Sequence, residues 1–171
     1  MSEGLRVRRA TPSDADAISR LAREVAAEPE GWLLTLGTWR SSSEERRAIR
    51  LLRRHPDAAL FVAETSEGIV GRLSVTRDHY PSSQHVADLG LMVAKEYRRR
   101  GAGRALLEAA VEWARASGVS KLELHVFPHN EAAIRFYELF GFEREGYRKR
   151  HYRRGQEYVD AVLMAYFVNQ Q

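Results

Sequence analysis

The chain has 171 residues, 44% of them hydrophobic, and no cysteine. That length is enough for one domain with a real core, and the missing cysteines exclude disulfide scaffolds, thiol nucleophiles and thiolate metal sites. Lysine plus arginine number 27 against 23 acids, a formal charge of only +4, so where the basic residues cluster matters more than their sum.

No apolar run approaches the roughly 20 residues that span a bilayer. The stretch 1–9 is polar and then basic, unlike a secretory signal. Only Lys95, Lys121 and Lys149 are lysine, and the remaining basic residues are arginine, whose planar fork suits phosphate. No repeat, low-complexity tract or Pro/Gly/Ser-rich linker breaks the chain, so residues 1–171 read as a single domain.

Leu5 and Val7 alternate with polar residues, as in a first strand. Thr11-Pro12-Ser13-Asp14 has the form of a helix start, and Ile18, Leu21, Ala22 and Val25 supply that helix with an apolar stripe. Pro29, Gly31 and Gly37 leave 28–40 without a period. Ser41 to Glu45 offers a second capping signal, and Ile49, Leu51 and Leu52 carry a helix that stops before Pro56. Strands are expected at 59–65 and 69–75 around a turn at Ser66-Glu67-Gly68. A polar loop at 77–85 leads to a strand at 86–93. A helix follows at 101–117, then a strand at 121–126 and a helix at 130–140. The segments 142–151 and 157–168 form a hairpin around Arg153-Arg154-Gly155. The order β-α-α-β-β-β-α-β-α-β-β implies an α+β (or α/β) domain, a mixed sheet with helices on its faces.

Chemistry concentrates in 93–104, VAKEYRRRGAGR. A strand ends, a loop carries three arginines and two glycines, and a helix begins. Glycine lets backbone approach an anion closely, the first helical N–H groups point outward unpaired, and the helix dipole favours negative charge. Arginine adds charge-assisted hydrogen bonds. The pattern suits a diphosphate, yet it is neither G-x-x-x-x-G-K-[ST] nor G-x-G-x-x-G, which disfavours P-loop NTPases and Rossmann dehydrogenases. Downstream, Asn130 is placed to cap a helix on which Ala133 and Tyr137 share a face, two turns in all.

With both segments in view, the chain resembles the GNAT superfamily of acetyl-CoA-dependent N-acetyltransferases. The loop signature [R/Q]-x-x-G-x-[G/A] is met by Arg98, Gly101 and Gly103. The helix signature N-x-x-A-x-x-[F/L]-Y-x-x-x-G-F is met by Asn130, Ala133, Phe136, Tyr137, Gly141 and Phe142. The resemblance spans Leu5 to Val168. It implies a mostly antiparallel sheet of about seven strands, splayed at its centre, with about four helices. It implies acetyl-CoA as co-substrate, no metal, an amine acceptor and a cytoplasmic setting. It places the backbone of Leu91, Met92 and Val93 along the pantetheine arm. Arg98, Arg99, Arg100, Gly101, Ala102, Gly103 and Arg104 would cradle the pyrophosphate. Asn130 and Ala133 would flank the CoA arm, and Tyr137 would protonate the departing thiolate. Transfer would be direct, within a ternary complex, since no cysteine is available to carry an acyl group. Many members are dimers, and the resemblance allows a homodimer here.

The general base is left open. Members that use a glutamate on the strand bearing Leu91 would place it at Ala87, which is no base. Asp88 falls on the other face of a regular strand unless a bulge at Gly90 turns it. Glu64, His79, His85 and a water relay are alternatives. For the acceptor, the resemblance points to 28–39, the 77–85 loop and the terminal hairpin. Trp32 and Trp39 either line a pocket or pack the second helix, and Glu28 and Glu30 are candidates for attracting a cation. The tail, with Tyr147, Arg148, His151, Gly155, Tyr158, Val159 and Asp160, resembles the amino-acid, ribosomal-protein and polyamine acetyltransferase branches. A rival reading treats 144–154, basic with Tyr147 and Tyr152 interleaved, as a nucleic-acid-binding hairpin. His125 and His129 lack helical metal-ligand spacing.

Overall fold

The computed structural model describes residues 4–35 and 39–168. Its elements follow the expected order: β1 (Arg6–Arg9), α1 (Ala15–Ala26), α2 (Ser42–Arg54), β2 (Ala58–Thr65), β3 (Gly68–Arg77), β4 (Val86–Val93), α3 (Ala102–Ser117), β5 (Lys121–Val126), α4 (Glu131–Phe140), β6 (Glu143–Arg154) and β7 (Glu157–Phe167). The strands form one seven-stranded mixed sheet, ordered β1-β2-β3-β4-β5-β7-β6. The α+β class is as expected.

Local chemistry explains the boundaries. Pro12–Asp14 is a short 3-10 turn, so α1 begins at Ala15, later than the Thr-Pro signal suggests. The Thr11 N–H donates to the Asp14 carboxylate at 2.7 Å. A full capping box starts α2: Glu44 N–H donates to Ser41 Oγ at 3.3 Å, and Ser41 N–H to the Glu44 carboxylate at 2.7 Å. β6 outruns its predicted end because register shifts at Arg144/Gly146 and Arg148/Tyr152 break its alternation.

The sheet is covered on both faces. On one, Leu73, Val75, Ala87, Leu89, Leu122 and Leu124 pack against Leu106, Leu107 and Ala110 of α3. Truncating Leu106 or Leu107 to alanine is expected to cost about 2–5 kcal/mol. On the other face, α1 and α2 cover β2 to β4 through two smaller clusters. One joins Ile18, Ile49, Leu60 and Val62, and the other joins Leu21, Ala22, Val25 and Met92.

The feature that positions the site is a failed pairing. β4 and β5 run parallel and pair only at Val86–Lys121, Ala87–Leu122 and Asp88–Glu123. Beyond Asp88 they diverge, while β4 continues to pair with β3 as far as Val93. Backbone groups of 89–93 that point away from β3 therefore have no strand to bond.

Candidate active site

A cavity of about 670 Å³ opens where β4 leaves β5. Leu91, Met92 and Val93 form one wall, and Leu124, His125 and Val126 of β5 form the facing one. Arg99, Gly101, Gly103 and Arg104 line one end, and Asn130, Ala133, Phe136 and Tyr137 another side. The two motifs, 29 residues apart in sequence, thus meet around one cleft.

The loop before α3 uses two left-handed residues, Arg99 at φ 58° and Gly101 at φ 91°. A side chain on Gly101 would meet open space, but the backbone conformation favours glycine. Gly103 has a different reason: a Cβ there would sit 3.0 Å from the Phe136 ring, so this glycine lets α3 pack on α4. The arginines are not equivalent. Arg98 Nε donates to Val93 O at 3.0 Å, and its guanidinium grips the Glu28 carboxylate at 2.8 Å. Arg100 lies over the Tyr97 ring, 5.6 Å from its centroid, and is not part of the cavity wall. Ala102 is buried beneath the loop. Arg99 lines the cleft, and so does Arg104 in the first turn of α3, whose Nε donates to Glu108 at 3.0 Å.

Asn130 caps α4, its Oδ1 accepting from Ala133 N–H at 3.2 Å, which leaves its amide nitrogen for a ligand. Tyr137 is buried between Phe136 and Phe142 at 5.2 and 5.4 Å. Its hydroxyl hydrogen-bonds no described residue, and burial pushes the phenol above its usual pKa, so it stays protonated.

Among the base candidates, Glu64 sits at the far side of the sheet, ion-paired with Arg8. The His79 ring lies tilted against Tyr80 in the exposed loop, 4.0 Å between centroids. Asp88 stands apart. The β3–β4 register runs through Gly90 without a shift, so there is no bulge. Asp88 shares a face with Gly90 and Met92, which line the cleft, but Asp88 itself lies beyond the lining residues, nearer the start of β4. Asp88 touches solvent, but protein crowding its carboxyl, and then the like charge of Glu123, push its pKa up to about 6. His125 Nδ1 and Tyr152 hydroxyl lie 2.7 Å apart beside it, and burial lowers the imidazole pKa.

The segment after α1 straps across the cleft. Trp32 Nε1 donates to Glu28 at 2.8 Å, and its ring stacks on His129 at 5.5 Å. His129 Nε2 lies 3.0 Å from Glu30 O. Gly31 leaves room for Arg154, whose guanidinium occupies the space a Cβ would take. Trp39 fills both roles weighed for it: it lines the cavity and donates to Glu45 of α2 at 3.1 Å. Glu28 is therefore taken up by Arg98 and does not serve as a free cation site. Leu36, Gly37 and Thr38, part of the expected acceptor stretch, lie outside the described residues.

The strand pattern did not single out Arg72. It lies on β3, opposite Met92, lines the cavity and is only 6% exposed. An arginine inside the apolar run 69–75 was the available signal.

The Acetyltransferase (GNAT) family model matches residues 23–142. The chain belongs to the GNAT acetyltransferase family. Among its GNAT relatives, the L-amino acid N-acetyltransferase AaaT of Escherichia coli is 36% identical over 166 residues, covering 93% of this chain and 95% of that protein. The ribosomal protein bS18-alanine N-acetyltransferase of Salmonella typhimurium is 39% identical over 75 residues, 44% of this chain and 51% of that one. A GNAT-family acetyltransferase structure from Streptococcus pneumoniae superposes with a TM-score of 0.85 at 29% identity, covering 95% and 99% of the two chains. The GNAT chain is an N-acetyltransferase with acetyl-CoA as its co-substrate. The nucleic-acid reading of the hairpin finds no support in these relatives or in the geometry. Tyr152 turns inward to His125, Tyr147 donates to Asp160 at 2.6 Å, and Arg144 is paired with Glu138.

Proposed function

We propose that residues 1–171 act as a single N-acetyltransferase domain that passes acetyl directly from acetyl-CoA to a primary amine of an amino acid or a protein. The observation that carries the site assignment is the Tyr137 hydroxyl: protonated, without a hydrogen-bond partner among the described residues, in the wall of the cleft that β4 and β5 enclose. The unpaired β4 backbone at Leu91, Met92 and Val93 would hold the pantetheine arm and polarise the thioester carbonyl. The N-terminus of α3, with Arg99, Gly101, Gly103 and Arg104, would take the pyrophosphate. Arg98 supports that loop through Glu28 and Val93 O. Arg100 and Ala102 contribute backbone.

Asp88, through water, would accept the proton that the acceptor ammonium must lose. The amine nitrogen then bonds to the acetyl carbon, the C–S bond breaks, Tyr137 gives its proton to the thiolate, and the extra proton on the nitrogen passes through water to restore the phenol. Acetyl-CoA and amines occur together in the cytoplasm, and we place the reaction there. No described helix is long and apolar enough to cross a membrane. A screen of acetyl-CoA consumption over amino acids, polyamines, aminoglycosides and peptide N-termini tests the proposal. Release of CoA with a primary amine is expected, and no release with any of them would overturn it.

A further inference from the structure

Arg72 has no catalytic duty in the scheme above, yet it is an expensive residue to keep. Its side chain is nearly inaccessible, and its Nε is a buried donor with no partner. No hydrogen bond or ion pair to a described residue holds the guanidinium. Its neighbours are the Trp39 ring, 5.1 Å from its central carbon, and the carboxylate of Glu45. Glu45 is committed through Oε2, which accepts from Trp39 Nε1 and pairs with Arg40 at 3.2 Å, while its Oε1 is buried with no partner among the described residues. Burial lowers the Arg72 pKa to about 10; Glu45 opposes this, and Arg40 adds to it. The group is thus a cation at neutral pH. An unpaired buried charge costs stability, and proteins keep such groups where a ligand completes them.

Position says which ligand. Arg72 is the register partner of Met92, and Ser74 that of Gly90. Cross-strand partners share a face, so Arg72 and Ser74 lie beside the β4 segment proposed to hold the thioester. They are on the strap side of the sheet, where the acceptor must enter. Arg40 lines the same cavity, with its charge paired to Glu45. The two arginines and one carboxylate leave a net positive charge, which disfavours polyamines and aminoglycosides. It suits a molecule that carries an anion within a bond or two of its amine.

Resting on the acetyltransferase reading, we infer that Arg72 binds the carboxylate of a free α-amino acid and so selects that acceptor over polyamines and peptide N-termini. The carboxylate would accept hydrogen bonds from the terminal N–H groups of the Arg72 guanidinium. The α-amine, on the adjacent carbon, is then turned toward the thioester. A peptide N-terminus has an amide where this carboxylate would be, and leaves Arg72 unpaired.

The test compares one amino acid with its own carboxamide, followed by CoA release. In the wild-type protein, kcat/KM for the acid should exceed that for the carboxamide by about 30-fold or more, the scale of losing one partner of a buried charge pair. Arg72→Met should reduce the acid to the carboxamide's level with unchanged acetyl-CoA affinity and an equal or higher Tm. Arg72→Lys should recover part of the preference. Equal wild-type rates for acid and carboxamide would overturn the inference without any variant. So would a preference that survives in Arg72→Met, or a faster reaction with polyamines or peptides. Those results leave acetyl transfer itself intact, whereas no CoA release with any amine would defeat both.

Discussion

Arg98 and Glu28 meet as a two-pronged ion pair across 70 residues of chain, joining the loop that opens α3 to the strap over the cleft. The pair links the expected pyrophosphate end of the site to its acceptor end. Burial tends to raise the Glu28 pKa, but hydrogen bonds from Arg98 and Trp32 outweigh it, and the net value lies below the usual 4.5. A depressed carboxylate pKa stabilises the fold above the unfolded value and loses that contribution as pH falls through the folded one. Glu28→Gln should therefore lower Tm by a margin that is full above about pH 4.5 and closes below it. Scanning fluorimetry across pH checks this; a constant margin would contradict it. The loosened strap should also raise the acceptor KM more than the acetyl-CoA KM.

Two glycines of one loop should fail in different ways. Gly101→Val forces a branched residue into a left-handed backbone, costing about 1–2 kcal/mol, and sets a side chain where the anion would approach. Calorimetry should find acetyl-CoA binding lost. Gly103→Ala instead presses on Phe136, so its main effect should be a lower Tm with binding retained. Normal acetyl-CoA binding by the Gly101 variant would refute the loop's role.

Tyr137→Phe removes a hydroxyl that bonds none of the described residues, so stability should hold or rise slightly. Turnover should fall by roughly 100-fold, as for loss of a general acid, while acetyl-CoA affinity stays nearly unchanged. Steady-state kinetics beside equilibrium binding separates the two effects, and undiminished turnover would remove Tyr137 from the chemistry.

Asp88 should set the acidic limb of the pH profile. A base must be ionised, so kcat/KM for the acceptor should fall as pH drops through about 6. Asp88→Asn should lower the rate and abolish that inflection. A limb that persists in the variant would transfer the role elsewhere.

Much of this was legible in the sequence because it is local. Val86–Val93 and Lys121–Val126 were bounded correctly by turn residues and alternation, and Asn130 was placed as a cap by its position before an apolar helix. The two motif segments converge as their resemblance implied. What the pattern could not reveal is contact across the chain. Glu28 looked like a free acid because its partner is distant in sequence. Arg72 is one charged residue in the returning strand 69–75, and a strand pattern does not tell what stands above a face. The face of Asp88 was deduced correctly, but that this face borders the cleft depends on α1 and the strap, which no strand pattern encodes.

The three-pair ladder between β4 and β5 has a thermodynamic consequence. The sheet is effectively two half-sheets, β1 to β4 and β5 with β7 and β6, stitched at one end and joined elsewhere through α3. A molecule lying along the open edges of β4 and β5 acts as the missing stitches. Its binding energy therefore adds to cohesion between the halves, by RT ln(1 + [L]/Kd). Amide exchange at 89–93 should slow more on acetyl-CoA binding than exchange in the β2–β3 pair. The protein would then be most tightly knit while loaded and loosest just after CoA departs, so each turnover briefly undoes and remakes part of the fold.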